Sequence, residues 1–578
     1  MTFLLIRKFF MLCLLVGASI CSVSNAAYAQ TPEEVNRAIQ ETTRIQREQQ
    51  LRQQEDIQRS IENRRPATQL EMPTVKSPTG KGEGCHNIND IKINGATIMP
   101  ARAQNKIIKN YTRKCLGVAE IQSILSDITA YYIEKGYPTS RVYLPVQDLS
   151  SGTLLIDVVE GRLGDIQLKD GQNRSFSQTT AFPHLIGGVL NLRDFEQGLD
   201  QINRLQSNNA SLDIAPGEQV GESVVVINNE PGKRWHANTV FDNYGTKSTG
   251  RRQVAGTLSY DNLFGLNDFI SVTRRETLPI HKRGSHSTSS NAIISVPFGY
   301  ATFTGGWSYS NYESSLVTNN STRLLLDGDN RAVFGTIDYV AYRDQKNKVT
   351  LSTTLTDKKS RNYIEKNLLT VSSRQLSVLD LNAMWTTQLL GGSASLGIGY
   401  SRGLKLFGSL KDAPGQNGDL PKAQFDKYTL NASWFRPFML YDQNLSWSSQ
   451  LTAQAASDTL YGSEQISVGG IYTVRGFHEQ SRANDDGYYI RNDLTLRKSL
   501  GNIYGAPVQF NPFLALDAGA VTGRAPGTPH GTLIGAGAGF NLSAGIANIN
   551  FFAGHPIEKP DALKNEGWTT FGRLSVSF

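Results

Sequence analysis

Residues 428–434 read Tyr-Thr-Leu-Asn-Ala-Ser-Trp, and the fold is decided by stretches of this kind. Tyr428, Leu430, Ala432 and Trp434 fall on one side of an extended chain, while Thr429, Asn431 and Ser433 fall on the other. Side chains alternate along a strand, so this is one apolar face backed by one polar face. The pattern continues downstream. Leu445, Trp447, Leu451 and Ala453 alternate with Ser446, Ser448, Gln450 and Thr452. Ile490, Leu494 and Leu496 alternate with Arg491, Asp493, Thr495 and Arg497. A soluble sandwich alternates in the same way. Two details favour a transmembrane barrel: aromatic residues often stand near strand ends, and the last segment puts Leu574, Val576 and Phe578 on the outward parity. About 16 such segments run from Trp235 onward, an even count of the kind single-chain bacterial barrels have. The expected fold is a transmembrane β-barrel of antiparallel strands over 233–578.

Composition agrees with this without proving it. Of 578 residues, 39% are hydrophobic and 19% charged, 53 are glycine, and the mean hydropathy is −0.33. Past the first ~25 residues no apolar run approaches the ~20 that a membrane helix needs, which excludes a helical membrane protein but not a barrel. Residues 1–29 read as a secretory signal, with Arg7 and Lys8 before the apolar Phe9–Val16 and an Ala27-Tyr28-Ala29 cleavage site. Ile20 before Cys21 argues against a lipoprotein. Losing Arg7 and Lys8 takes the formal charge from +7 to +5, with no basic cluster, so no nucleic-acid partner is expected. Cys13 and Cys21 leave with the signal. Cys85 and Cys115, alone in an exported chain, are expected to form one disulfide.

Upstream of the barrel lie three further zones. Residues 30–65 read as one helix, opened by Thr31-Pro32-Glu33-Glu34 as N-cap, first-turn proline and capping-box glutamate. Its apolar residues (Val35, Ile39, Ile45, Leu51, Ile57, Ile61) form no continuous stripe, so it has no face for a dry core. A solvated helix, a sparse coiled coil and a helix inside a wet, polar cavity all fit that pattern. Residues 66–84, rich in Pro, Gly, Ser and Lys, read as a linker. Residues 85–161 and 162–232 repeat a strand–helix–helix–strand–strand unit of roughly 70–75 residues, enough for a small α+β domain with an exposed edge strand. In the first copy, Ile121, Ile124, Leu125, Ile128 and Tyr132 mark the second helix at 3.6-residue spacing.

Enzyme signatures do not emerge. His86, His184, His236, His281, His286, His478, His530 and His555 have no HExxH-type spacing. Gly535, Gly537 and Gly539 are not followed by a helix that could hold a phosphate, and read as small residues on a crowded strand. Neither metal nor cofactor is expected. One connection differs from an ordinary turn. Between the eleventh and twelfth strand segments, residues 457–486 carry Val474-Arg475-Gly476-Phe477. Asp517, flanked by Leu516 and Ala518 of opposite parity, points into the lumen, where an arginine could hold it.

With these residues in hand, the sequence resembles the outer-membrane transporters of two-partner secretion, the haemolysin and filamentous haemagglutinin secretion-activation family within the POTRA-plus-barrel superfamily. The likeness covers the polar helix, two POTRA units, the Asp242-Asn243-Tyr244-Gly245 opening of the barrel and the Val474–Phe477 motif. It implies that residues 30–65 are a plug, that the motif's loop folds back into the barrel, and that Arg475 pairs with Asp517 on the thirteenth strand. The family often has an aromatic residue two before that aspartate; here Ala515 stands there and Phe513 four before. The resemblance further implies export without ATP of one large secreted partner (a haemolysin, adhesin or contact-dependent toxin) bound through periplasmic POTRA units. It places the barrel in outer-membrane lipid, inserted by the assembly machinery with Phe578 as C-terminal signal. An insertase of the same superfamily would be expected to carry more POTRA units, and a passive porin would need neither these units nor the loop.

Overall fold

The computed structural model describes residues 32–62, 68, 70, 84–169, 175–280, 282–317, 321–503, 505–525 and 527–578. The signal segment with its cleavage site, and most of the linker, lie outside the described residues. From Trp235 onward the chain is a meander of antiparallel strands that closes on itself. Two pieces, Asn367–Leu368 and Lys498–Ile503, flank direct pairings between their longer neighbours, which leaves sixteen strands around the barrel. Closure pairs the sixteenth strand (Thr569–Ser577) with the first (Trp235–Asp242), from Arg573 opposite Asp242 to Ser577 opposite Asn238. Phe578 extends the seam: its N–H donates to the Ala237 carbonyl at 2.8 Å and its carbonyl accepts from Ala237 N–H at 3.3 Å.

The alternation explains why this sheet closes. Val272, Ile294, Phe303, Trp307, Val333, Ile337 and Leu351 are all exposed on the outer wall. Arg275, Ser310, Asn362 and Asp517 are buried inside. Apolar-out and polar-in is unfavourable in water and stable in lipid, where closure also leaves no unpaired backbone edge.

The two units upstream of the barrel share one topology. In the first, Asp90–Asn94 runs parallel to Thr153–Val159, which Arg141–Tyr143 flanks antiparallel. In the second, Arg162–Leu168, Glu222–Asn229 and Ala210–Pro216 repeat that order. Ile121, Ile124, Ile128 and Tyr132 of helix Val118–Glu134 pack with Ile91, Leu154 and Ile156. The first unit also has a feature that periodicity did not reveal. Lys114–Leu116 pairs with His86–Ile88, and the Cys85–Cys115 disulfide joins the two segments. A three-residue strand is too short to show a period.

Helix Leu192–Asn203 fixes the second unit to the barrel. Just beyond it, Arg204 donates to Ser295 Oγ at 2.6 Å and to the Asn267 carbonyl at 2.7 Å. Gln201 reaches the Gly299 carbonyl at 3.0 Å, and Tyr300 Oη donates to Asp194 at 2.6 Å. Arg343, on the sixth strand (Arg323–Arg343), pairs with Asp200 at 2.6 Å and Glu196 at 3.2 Å, and donates to the Thr68 carbonyl at 2.7 Å. The last bond also ties down the chain between polar helix and first unit.

Two outcomes are expected. Replacing Cys85 and Cys115 by serine should cost the first unit about 3–4 kcal/mol by the chain-entropy account of a loop of this length; amide exchange over 86–116 should quicken while barrel amides stay protected. Glu160 is the second case. Burial alone would raise its carboxyl pKa, but donation from Ile98 N–H, Thr97 Oγ1 and Tyr132 Oη outweighs that and holds it below the ordinary value. Its stabilisation is therefore present above the unfolded carboxylate pKa and lost as pH falls through the folded one. Glu160→Gln should destabilise the unit more at pH 7 than at pH 3 in parallel denaturation series.

Candidate functional site in the barrel lumen

The polar helix, Pro32–Glu62, lies inside the barrel. At ~1.5 Å per residue it is about 46 Å long, enough to pass the ~30 Å hydrocarbon layer. Ion pairs along its own surface support it, Arg44 with Glu41 and Glu48, and Arg59 with Glu55. Its bonds to the wall are mostly polar. Gln49 donates to Ser287 Oγ and to the Asn311 carbonyl, both at 3.0 Å, and accepts from Ser310 and Asn330. Gln46 donates to Asn362 at 2.8 Å. Its apolar contacts are small: Ala38 and Val35 meet a cluster with Leu324, Leu326 and Ile364, and Ile57 packs against Leu205, Phe269 and Ile293. Of the three readings the sequence left open, the helix in a polar cavity is the one found.

At the other end of the helix, two carboxylates enter a charged cluster at the barrel seam. Asp56 takes Arg275 through Nη2 at 2.6 Å and Nε at 3.1 Å. Glu55 takes Arg573 at 2.8 Å. Both arginines share Asp242, at 2.9 and 3.5 Å. Asp242 opens the Asp-Asn-Tyr-Gly segment, and Tyr244 lies under the Arg573 guanidinium at 4.2 Å.

The loop between the eleventh strand (Gln443–Ala456) and the twelfth (Asp486–Leu496) turns inward through a short hairpin, Ile466–Val468 with Arg482–Asn484. Its tip places Arg475 against Asp517 of the thirteenth strand (Ala506–Thr522). Nε donates to Oδ2 at 2.6 Å, Nη2 to Oδ1 at 2.8 Å, and the Arg475 backbone N–H to Oδ2 at 3.0 Å. Nη2 also reaches Asp493 at 2.6 Å. Asp517 is fully buried, so this is a dry bidentate pair. Val474 and Phe477 are fully buried with Val468, Val521 and Leu533. The guanidinium lies 5.3 Å from the Phe552 ring centre and 6.0 Å from that of Phe513. Where Ala515 departs from the family habit, these two rings, stacked 6.0 Å apart, border the pair.

Two glycines make the approach possible. A Cβ on Gly535 would stand 1.8 Å from the Arg475 carbonyl oxygen, and Gly476 has φ +103° with the His555 carbonyl oxygen 2.8 Å from its absent Cβ. The Gly535–Gly539 run is thus crowded strand, as its sequence suggested. Sequence reasoning missed Glu566, which accepts from the backbone N–H groups of His478, Glu479 and Gln480. It missed Asp493 as a second partner of Arg475, although that residue's lumenal parity was visible. The Glu55–Arg573 and Asp56–Arg275 pairs had no local signal.

A model for the haemolysin secretion/activation protein family ShlB/FhaC/HecB matches residues 221–542. Models for the ShlB-type POTRA domain and for the POTRA domain match 86–161 and 162–216. The outer membrane transporter CdiB of Escherichia coli is 33% identical over 92% of this chain and 89% of its own. The hemolysin transporter protein ShlB of Serratia marcescens is 31% identical, with 90% of each covered. The solved structure of CdiB from Escherichia coli superposes with a TM-score of 0.82 at 32% identity, over 96% of this chain and all of that one. The chain belongs to the haemolysin secretion/activation family, the outer-membrane transporters of two-partner secretion.

Proposed function

We propose that this transporter exports one large partner protein, of the haemolysin, adhesin or contact-dependent toxin kind, through its own lumen without ATP and without catalysing a covalent reaction. The observation that carries this reading is the lumenal helix held by polar bonds. Every one of those bonds can be exchanged for water or for a passing chain, so the helix is a plug that can leave. We divide the mature chain accordingly into plug 30–65, linker 66–84, recognition units 85–161 and 162–232, and barrel 233–578. An extended segment of the partner adds to a free sheet edge of the recognition units. Arg475 and Asp517 anchor the inward loop, with Val474, Gly476 and Phe477 fitting it to the wall. Phe578 serves the assembly machinery as the barrel's C-terminal signal. Folding of the partner outside supplies direction.

Arg475→Ala leaves Asp517 buried and unpaired, a loss of about 3–5 kcal/mol for a buried pair. Secretion of a partner encoded beside this gene should fall by about tenfold or more, while the barrel stays inserted and heat-modifiable; full secretion would refute the anchoring role. Deleting residues 31–65 should raise single-channel conductance severalfold in a planar bilayer. An unchanged conductance would refute the plug.

A further inference from the structure

Outside the lumen, where both recognition units meet the periplasmic rim of the barrel, lies a cleft of about 690 Å³. Its walls come from three bodies. The first unit supplies Lys135, the residue that ends helix Val118–Glu134. The second supplies Arg193, and the barrel supplies Tyr339, Tyr342 and Lys346 around the turn after the sixth strand.

Arg193 is the informative residue. It is only 5% exposed, its Nη1 donates to Glu196 at 2.5 Å, and its Nη2 is buried without a hydrogen-bond partner. A buried guanidinium nitrogen left unpaired is costly, and Arg193 is among the residues that line the cleft. The other charges at the cleft divide clearly. Arg343 is engaged by Glu196, Asp200 and Thr68. Asp344 is satisfied by Tyr342 Oη at 2.8 Å and by the N–H groups of Lys346 and Asn347, both at 2.7 Å. Glu134 is solvent-exposed. The ammonium groups of Lys135 and Lys346 are exposed and engage no partner among the described residues. The Glu134 carboxylate is outweighed by the two ammonium groups and Arg193, which leaves donors and a net positive charge from three separate elements.

The membrane lies beside it. Tyr339 has the parity of Val333 and Ile337 on the outer wall, and Tyr339 and Tyr342 are 50% and 52% exposed. Tyrosines at the foot of a barrel wall mark the interfacial belt, at headgroup depth. Because Arg343 joins this turn to the second unit, the leaflet is the periplasmic one.

We infer that this cleft binds the phosphodiester headgroup of a glycerophospholipid in the periplasmic leaflet, with Arg193, Lys135 and Lys346 holding the phosphate and the two tyrosines flanking the glycerol. The lipid then acts as a strut between first unit, second unit and barrel. The site stands whether or not the lumen exports protein.

The test uses the full mature chain in detergent, titrated with phosphatidylglycerol and followed by native mass spectrometry. One lipid per chain should bind, and Lys135→Gln with Lys346→Gln, both at exposed positions, should raise its Kd about tenfold. Arg193→Gln should do the same, with heat-modifiability as the control for folding. Equal Kd values in the wild type and the lysine double variant would overturn the site. So would displacement of the lipid by an equal concentration of inorganic phosphate, which would make it a site for a free anion.

Discussion

A barrel in lipid must turn its apolar residues outward, and everything inside it is then bounded by polar wall. This constraint governs the rest of the molecule. An object placed in such a lumen finds almost no dry surface to bury, so it must be held by hydrogen bonds and ion pairs. The helix Pro32–Glu62 meets that condition with glutamine, glutamate, aspartate and arginine, and with small apolar contacts near Ala38 and Ile57. Its low hydrophobicity is what residence in the lumen requires.

The same wall holds two parts of very different permanence. Asp517 is dry, receives three bonds from Arg475 and lies beside the rings of Phe513 and Phe552, while Val474 and Phe477 seal the loop beside it. Removing one partner from such a pair strands a charge, so the pair resists opening. Asp242 is instead shared by Arg275 and Arg573, and each of those arginines takes a second carboxylate from the helix. Withdrawal of the helix leaves both arginines still facing Asp242, in a lumen that water then enters. In the proposed function the loop is therefore the fixed element, and the helix the exchangeable one.

How much of this the sequence disclosed follows from how far each signal reaches. Strand parity is a local property, and it placed the barrel and the lumenal orientation of Asp517. The repeated unit showed through the spacing of Ile121, Ile124, Ile128 and Tyr132. Lys114–Leu116 is too short for any period and stayed hidden. The location of the helix was undecided because solvent and a wet lumen impose the same composition. Glu55 and Arg573 are 518 residues apart, and no pattern in either neighbourhood points to the other. The Arg475–Asp517 pairing came from resemblance; parity alone put Asp517 among many polar residues facing inward.

Transport without a nucleotide requires that exchanging helix for partner be nearly neutral in free energy. The polar bonds of the helix satisfy this because each contributes only about 0.5–1.5 kcal/mol net of competing water. An apolar plug of the same length would bury far more, at about 25 cal/mol per Å², and would need an external source of work to leave. The second unit, bonded to the rim through Arg204, Gln201, Asp194 and Arg343, does not share in that exchange. It holds the turn beside Lys348 and the chain at Thr68 in one cluster.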